Sequence, residues 1–264
     1  GTDIVYDGEP NGTERHSNMI SAYHSTGNIA SVHWSLLYHT ISTANTIIDR
    51  LPVSEVSEEQ KTIAEAKARF FRGFAYRTLT YLYGGVPLLL TEVIEPKFDY
   101  VRASKEEVLR QALTDVEFAA AHLPSLSSVQ DGEVSNAAAY HLLSELYLAT
   151  AQYQKAVDAA TTVIDDPATG LMYTRFGSRA NELPGDVYWD LFRKNNQNRS
   201  SGNTEGIWVI QIETDTPGGS GSLTAKDQTY TLERHHAPMV RDVKAHGMNP
   251  FSWPIGDYTG GRGI

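Results

Sequence analysis

Cysteine is absent from this chain. Disulfide staples, thiolate metal sites and cysteine nucleophiles are therefore excluded, and the fold must be held by packing and hydrogen bonds. Long apolar runs are missing as well. No stretch approaches the roughly 20 residues that cross a bilayer as a helix, and the first residues lack the charged, apolar and small-residue succession of a secretory signal. Basic residues are few and scattered: 22 Lys and Arg face 32 Asp and Glu, a formal charge of −10. That balance disfavours binding to nucleic acid or to an anionic membrane by charge.

The motifs of common catalytic sites are missing too. There is no G-x-S-x-G elbow, no H-E-x-x-H, no G-x-G-x-x-G opening a helix and no phosphate-cradling loop. The glycine-serine run at 218–222 lacks the lysine that phosphate cradles use and reads as a linker. His235 and His236 are adjacent, so they rarely point at one ion, and no acidic partner stands at helical spacing. They read as a solvated or hydrogen-bonded pair. Carboxylates are scattered, with no pattern that singles out a glycosidase pair. The chain reads as a non-enzyme without cofactor or metal.

What is present is a strong helical signal. Hydrophobic residues make up 41% of 264 residues, ample for a core. Residues 31–51 keep helical spacing through Trp34, Leu37, Tyr38, Ile41, Asn45 and Ile48. A second helix, 57–83, opens on a capping box at Ser57-Glu58-Glu59-Gln60. It aligns Ala66, Phe70, Phe74 and the 78–82 run on one face, with Arg69, Arg72 and Arg77 on others. Gly84 or Gly85 supplies its left-handed stop, and Pro87 cannot continue it. A third, 104–123, opens on a box at Ser104 to Glu107, carries Val108, Ala112, Val116, Ala119 and Leu123 on one face, and halts before Pro124. A fourth starts after the Asp131-Gly132 turn and a Ser135 cap. From Ala139 to Ile164 the chain follows the tetratricopeptide pattern, with Tyr140, Leu143, Ser144, Tyr147, Ala156, Ala160 and Val163 in its signature places. The small residues at Ser144 and Ala156 leave room for two antiparallel helices to approach. One such hairpin cannot bury its apolar face alone, so the other helices are expected to stack on it.

Beyond about residue 170 the chain turns rich in Gly, Asn, Ser and Pro. Ile207 to Ile212 is a short strand candidate, and 215–222 is a flexible loop by composition. Residues 247–264 hold large aromatics in a segment that cannot be a regular element.

Three segments carry a family likeness. Glu65, Ala66, Arg69, Phe70, Arg72 and Tyr76, followed by Tyr83, Gly84, Val86, Pro87 and Leu88, resemble the most recognisable helix of the SusD/RagB family of outer-membrane nutrient-binding lipoproteins. The run from Trp34 to Ile48 is similar to that family's first repeat helix, and Glu205 to Gln211 to a further segment. Gly73 departs from the family's usual alanine, a change that costs a helix interior roughly 1 kcal/mol. The resemblance implies a mostly α fold: a tetratricopeptide-like α-α superhelix (SusD-like) with an irregular loop-rich region containing short strands. It divides the chain into an N-terminal loop segment, 1–30, a helical-repeat scaffold, 31–169, and a loop-rich ligand-binding region, 170–264, within one continuous domain. It also implies that the chain is an interior piece of a longer protein whose lipid anchor lies outside it.

The function implied is cell-surface capture of an oligosaccharide or polysaccharide for a SusC-like TonB-dependent transporter. The location would be the outer membrane, as a surface-exposed lipoprotein that touches the bilayer only through the anchor. Sugar rings present flat C–H faces that stack on aromatic rings, and hydroxyls that need planar polar groups. Such residues work best on irregular segments held by a rigid scaffold. The candidates are Tyr6 and Tyr23, with Asp7, Asn11, Arg15 and His24 beside them. In the second half they are Trp189 and Arg193, with Tyr188 adjacent, then Phe251, Trp253, Asp257 and Tyr258. Trp34 and Trp208 sit in periodic patterns and read as core. The alternative is a tetratricopeptide adaptor that binds a protein or peptide, with the second half merely structural.

Overall fold

A computed structural model describes residues 28–193 and 195–211. Within it Trp34–Gln211 form one compact unit. The helices are α1 (Asn28–Arg50), α2 (Glu58–Tyr83), α3 (Lys105–His122), α4 (Asn136–Ala149), α5 (Tyr153–Ile164) and the single turn α6 (Val187–Leu191), with 3₁₀ turns at Leu51–Val53, Leu126–Ser128 and Arg199–Ser201. The fold is mostly α, and no strand forms among the described residues. A lone bridge joins Pro87 to Arg102.

Local signals set the helix starts. Both capping boxes close. The Ser57 amide donates to Gln60 Oε1 (3.1 Å) and the Gln60 amide to Ser57 Oγ (3.3 Å). The Ser104 amide donates to Glu107 Oε2 (2.8 Å) and the Glu107 amide to Ser104 Oγ (3.2 Å), satisfying amides that have no partner within the helix. Ser135 stands at the predicted start of α4, but its hydroxyl is buried without a partner; the Asn136 amide donates to Pro124 O instead. The glycine pair after α2 divides two tasks. Gly84 takes φ 73°, which only glycine adopts readily. Gly85 lies so close to Ala103 O that an added Cβ would sit 2.2 Å from it.

The helices pack in series, α2 on α3, α3 on α4 and α4 on α5, the last two forming the hairpin that the tetratricopeptide pattern predicts. Phe70, Tyr76, Leu79, Val108, Ala112, Val116, Leu143 and Leu146 lie in one contiguous core with Ala156 and Ala159. Gly73 faces α3, where a Cβ would meet Val116 Cγ2 at 2.5 Å and Ala112 O at 3.1 Å. Its lack of a side chain thus permits the α2–α3 contact.

Helix α1 is tied to this body through the strap that follows Pro87. Tyr38 Oη donates to Pro87 O (2.7 Å), and Asn45 Nδ2 to Leu89 O (2.9 Å) and Thr91 O (3.1 Å). Under the strap lies a polar network that periodicity does not foretell. Arg72, expected off the apolar face, is buried. It grips Asp115 through Nε (2.8 Å) and Nη2 (2.7 Å), and reaches Asn45 Oδ1 (2.7 Å) and Leu90 O (3.2 Å) through Nη1. The strap buries a second side of α2, so the helix is interior on more than its apolar stripe. Residues 207–211 are likewise not a strand. Trp208 leaves the backbone to pack edge-on against Phe70 (5.6 Å between centroids), Phe71 (5.9 Å) and Phe74 (6.5 Å), while its Nε1 donates to Gly132 O (3.2 Å). Trp34, also read as core, is half-buried and packs on Tyr38 and Tyr83.

Candidate functional site

After α5 the chain enters an irregular lobe built around two buried polar side chains, Asp190 and Asn196. Asp190 accepts from Arg175 Nε (2.5 Å) and Nη2 (3.1 Å) and from the Phe176 amide (3.2 Å). Arg175 also donates to the carbonyls of Glu182 (3.1 Å), Gly185 (2.7 Å) and Arg179 (2.9 Å), so one guanidinium ties the whole 179–185 turn to α6. Asn196 bridges Phe176 O (3.3 Å), Asp190 O (3.0 Å) and the Ser178 amide (3.2 Å). Asp186 starts α6 by accepting from the Trp189 amide (2.8 Å). The lobe is anchored to the repeats by Arg199, which donates to Ala168 O (2.5 Å). An irregular segment held this way is a rigid mount, because the buried side chains of Asp190 and Asn196 are satisfied within the fold.

The mount displays aromatic rings. Tyr188 and Phe192, four residues apart, share one side of the α6 turn. Their ring centroids lie 5.0 Å apart with 59° between planes, and they are 71% and 73% exposed. Two large rings left so open on a segment whose polar core is satisfied have no packing role within the described fold. Tyr173, 82% exposed, stands on the same lobe.

Trp189 is half-buried and serves the lobe differently. The guanidinium of Arg193 lies over its ring with Cζ 3.2 Å from the centroid, and those of Arg179 and Arg175 approach at 5.4 and 5.6 Å. Gly185 packs against the ring, where a Cβ would meet Trp189 Cε3 at 2.3 Å. The carboxylates here are committed. The hydrogen bond from Arg175 holds Asp190 below the ordinary carboxylate range, and that from Arg179 does the same for Glu182, each helped by the charge of Arg193.

Of the residues singled out from the sequence, Trp189 and Arg193 are thus brought together as a stacked pair. Tyr6, Tyr23, Phe251, Trp253, Asp257 and Tyr258, like His235 and His236, lie outside the described residues. Phe192 and Tyr173 were not anticipated. The available signal was the Tyr188–Phe192 spacing, which pairs two rings only once the Asp186 cap makes 187–191 helical. Among the described residues no three His, Asp or Glu side chains converge as a metal site.

A stacked helical-repeat scaffold that carries an aromatic-bearing irregular lobe defines the class of protein. A family model described as SusD-like, starch-binding associating with outer membrane, matches residues 9–148, and the chain belongs to that family. It is similar to SusD-like protein P2 of Formosa agariphila, 29% identical over 142 residues, which cover 53% of this chain and 28% of that protein. Its fold is that of a SusD superfamily protein from Bacteroides vulgatus (TM-score 0.64, 19% identity, 83% of this chain and 46% of that one). It is likewise that of a SusD-like carbohydrate binding protein from Bacteroides fragilis (TM-score 0.60, 20% identity, 81% and 40%). The chain therefore spans less than half the length of each of these relatives.

Proposed function

We propose that the chain is the scaffold and part of the ligand face of a surface-exposed outer-membrane lipoprotein that captures oligosaccharide without chemically altering it. The observation that carries this reading is the exposed Tyr188–Phe192 pair, mounted on a lobe whose polar core is satisfied. Aromatic rings held at fixed angles suit the apolar faces of pyranose rings, and each stacking contact contributes on the order of 0.5–1.5 kcal/mol. Affinity built from a few such contacts is modest and permits release. Family membership supports the reading, as does the similarity to a SusD-like carbohydrate binding protein of Bacteroides fragilis.

Release would be to a SusC-like TonB-dependent transporter. The outer face of α1 and the tip of the strap suit such a partner. From Asn28 to Ile48 the helix has no Asp, Glu, Lys or Arg, and Ile94, Phe98 and Val101 on the tip are 80%, 91% and 81% exposed. Apolar surface of that kind on a solvated strap is a cost unless a partner covers it.

One observation favours an adaptor that binds a peptide: the outer side of α5 exposes Tyr153, Val157 and Ile164. Electrophoretic retardation in gels containing individual polysaccharides separates the two. Retardation by at least one polysaccharide, weakened by Tyr188→Ala with Phe192→Ala, is the expected result. Indifference to every polysaccharide combined with peptide binding at α5 would favour the adaptor.

A further inference from the structure

Arg193 is the one guanidinium of the lobe without an acceptor among the described residues. Arg175 is committed to Asp190 and three carbonyls, Arg179 to Glu182, and Arg199 to the carbonyls of Ala168 and Gly206. Arg193 forms no ion pair and no side-chain hydrogen bond with them, and its Nε is buried and unpartnered. The ring of Trp189 under it fixes its plane. A stacked guanidinium is held in one plane, so the fork of its terminal nitrogens is fixed at little further entropic cost.

Asp190 and Glu182 lie near enough to feel the charge of Arg193, but neither accepts a hydrogen bond from it. Each nearby carboxylate is engaged: Asp190 by Arg175, Glu182 by Arg179, and Asp186 by the Trp189 amide. Residues 171–211 hold five basic residues to four acidic ones, whereas the whole chain holds 22 to 32. This stretch is thus less acidic than the chain as a whole. Arg193 directly follows Phe192 in sequence, and Trp189, on which it rests, directly follows Tyr188, so fork and ring pair adjoin each other at α6 and its C-terminal end.

Resting on the reading that the ring pair stacks sugar, we infer that this site selects acidic saccharides, with Arg193 receiving the anionic substituent of the stacked sugar or its neighbour, a uronate carboxylate or a sulfate ester. Bonds from a guanidinium to an anion are roughly twice as strong as neutral ones, and Arg geometry fits a carboxylate in two-pronged fashion. A neutral glycan would leave the fork without a charged acceptor.

The test uses the 264-residue chain and matched probes: oligogalacturonate against its carboxyl-reduced form, and dextran sulfate against dextran, titrated calorimetrically at low and high salt. One acidic member is expected to bind about tenfold more tightly than its neutral partner. The arm that does so identifies carboxylate or sulfate, and the preference should shrink at high salt. Arg193→Gln is expected to erase the preference, lowering the acidic partner's affinity to that of the neutral one; Arg193→Lys, which keeps the charge but not the planar fork, should fall between. Two results overturn the inference while glycan capture stands: equal binding of acidic and neutral partners, or an Arg193→Gln loss equal for both, which would make Arg193 only a prop for Trp189. Binding of no probe and of no neutral polysaccharide overturns both proposals. The wild-type comparison alone decides the point should a variant fail to fold.

Discussion

Tyr76 shows how a single side chain can set a condition on stability. Its hydroxyl donates to Leu89 O (2.8 Å) and accepts from the Leu89 amide (2.7 Å), sealing the strap on α2. Burial, the largest influence, pushes its ionisation from 10.0 up to about 12. A raised value means the folded state holds its proton more tightly than the unfolded state. The contribution is therefore complete below pH 10 and lost as pH rises towards 12. Urea titrations from pH 9 to 12 should show stability falling across that window, and Tyr76→Phe should flatten the fall while costing about 1–2 kcal/mol at neutral pH. An equal alkaline slope in both proteins would contradict this role. The Arg72–Asp115 pair makes a stronger demand. Leaving either charge buried alone costs on the order of 3–5 kcal/mol, so Asp115→Ala should lower the urea midpoint severely. Arg72→Met together with Asp115→Leu should recover most of that loss, because well-packed apolar replacements of buried ion pairs are often neutral. A double variant as weak as the single one would show that the contacts of Arg72 to Asn45 and Leu90 matter more than the charge pair.

Among the elements, the α2–α3 contact turns on Gly73. Alanine is the better helix former by about 1 kcal/mol, yet its Cβ would strike a Val116 methyl and crowd a backbone carbonyl. Overpacking of a close contact costs about 1–3 kcal/mol, so Gly73→Ala should be a net loss of about 1 kcal/mol by urea denaturation. Combining it with Val116→Ala should cost less than the two single changes together by at least about 0.5 kcal/mol. Stabilisation by Gly73→Ala would refute the close-approach account. The glycine was legible as a departure from the family pattern, but its reason was not, because Val116 lies 43 residues away. The same division runs through the fold. Capping boxes, the halts near Gly84 and Pro124, and the tetratricopeptide hairpin depend on residues a few positions apart, and all could be read. Arg72 could not, since Asp115 and Asn45 come from other helices. Ile207 to Gln211 has the composition of a strand, yet no strand edge is offered to it among the described residues, and Trp208 finds an aromatic socket instead.

For the molecule as a whole, the helices form a stack with work left at its surfaces. The chain covers a minor share of its relatives' lengths, and apolar side chains remain open on α5, on the strap tip and on the lobe. The candidate site was partly visible in advance. Trp189, Arg193 and Tyr188 stood out as aromatic and planar polar residues in an irregular segment. Their division of labour emerges only from the fold: Trp189 supports a guanidinium, and Tyr188 pairs with Phe192 to face solvent. Were that ring pair incidental, its removal would change nothing measurable. Isothermal titration of a bound polysaccharide's oligosaccharides into the wild-type chain and into Tyr188→Ala with Phe192→Ala addresses this directly. The account predicts an affinity at least about tenfold weaker for the double variant, equivalent to two stacking contacts, with an unchanged melting temperature. Equal affinity in the two proteins would contradict it.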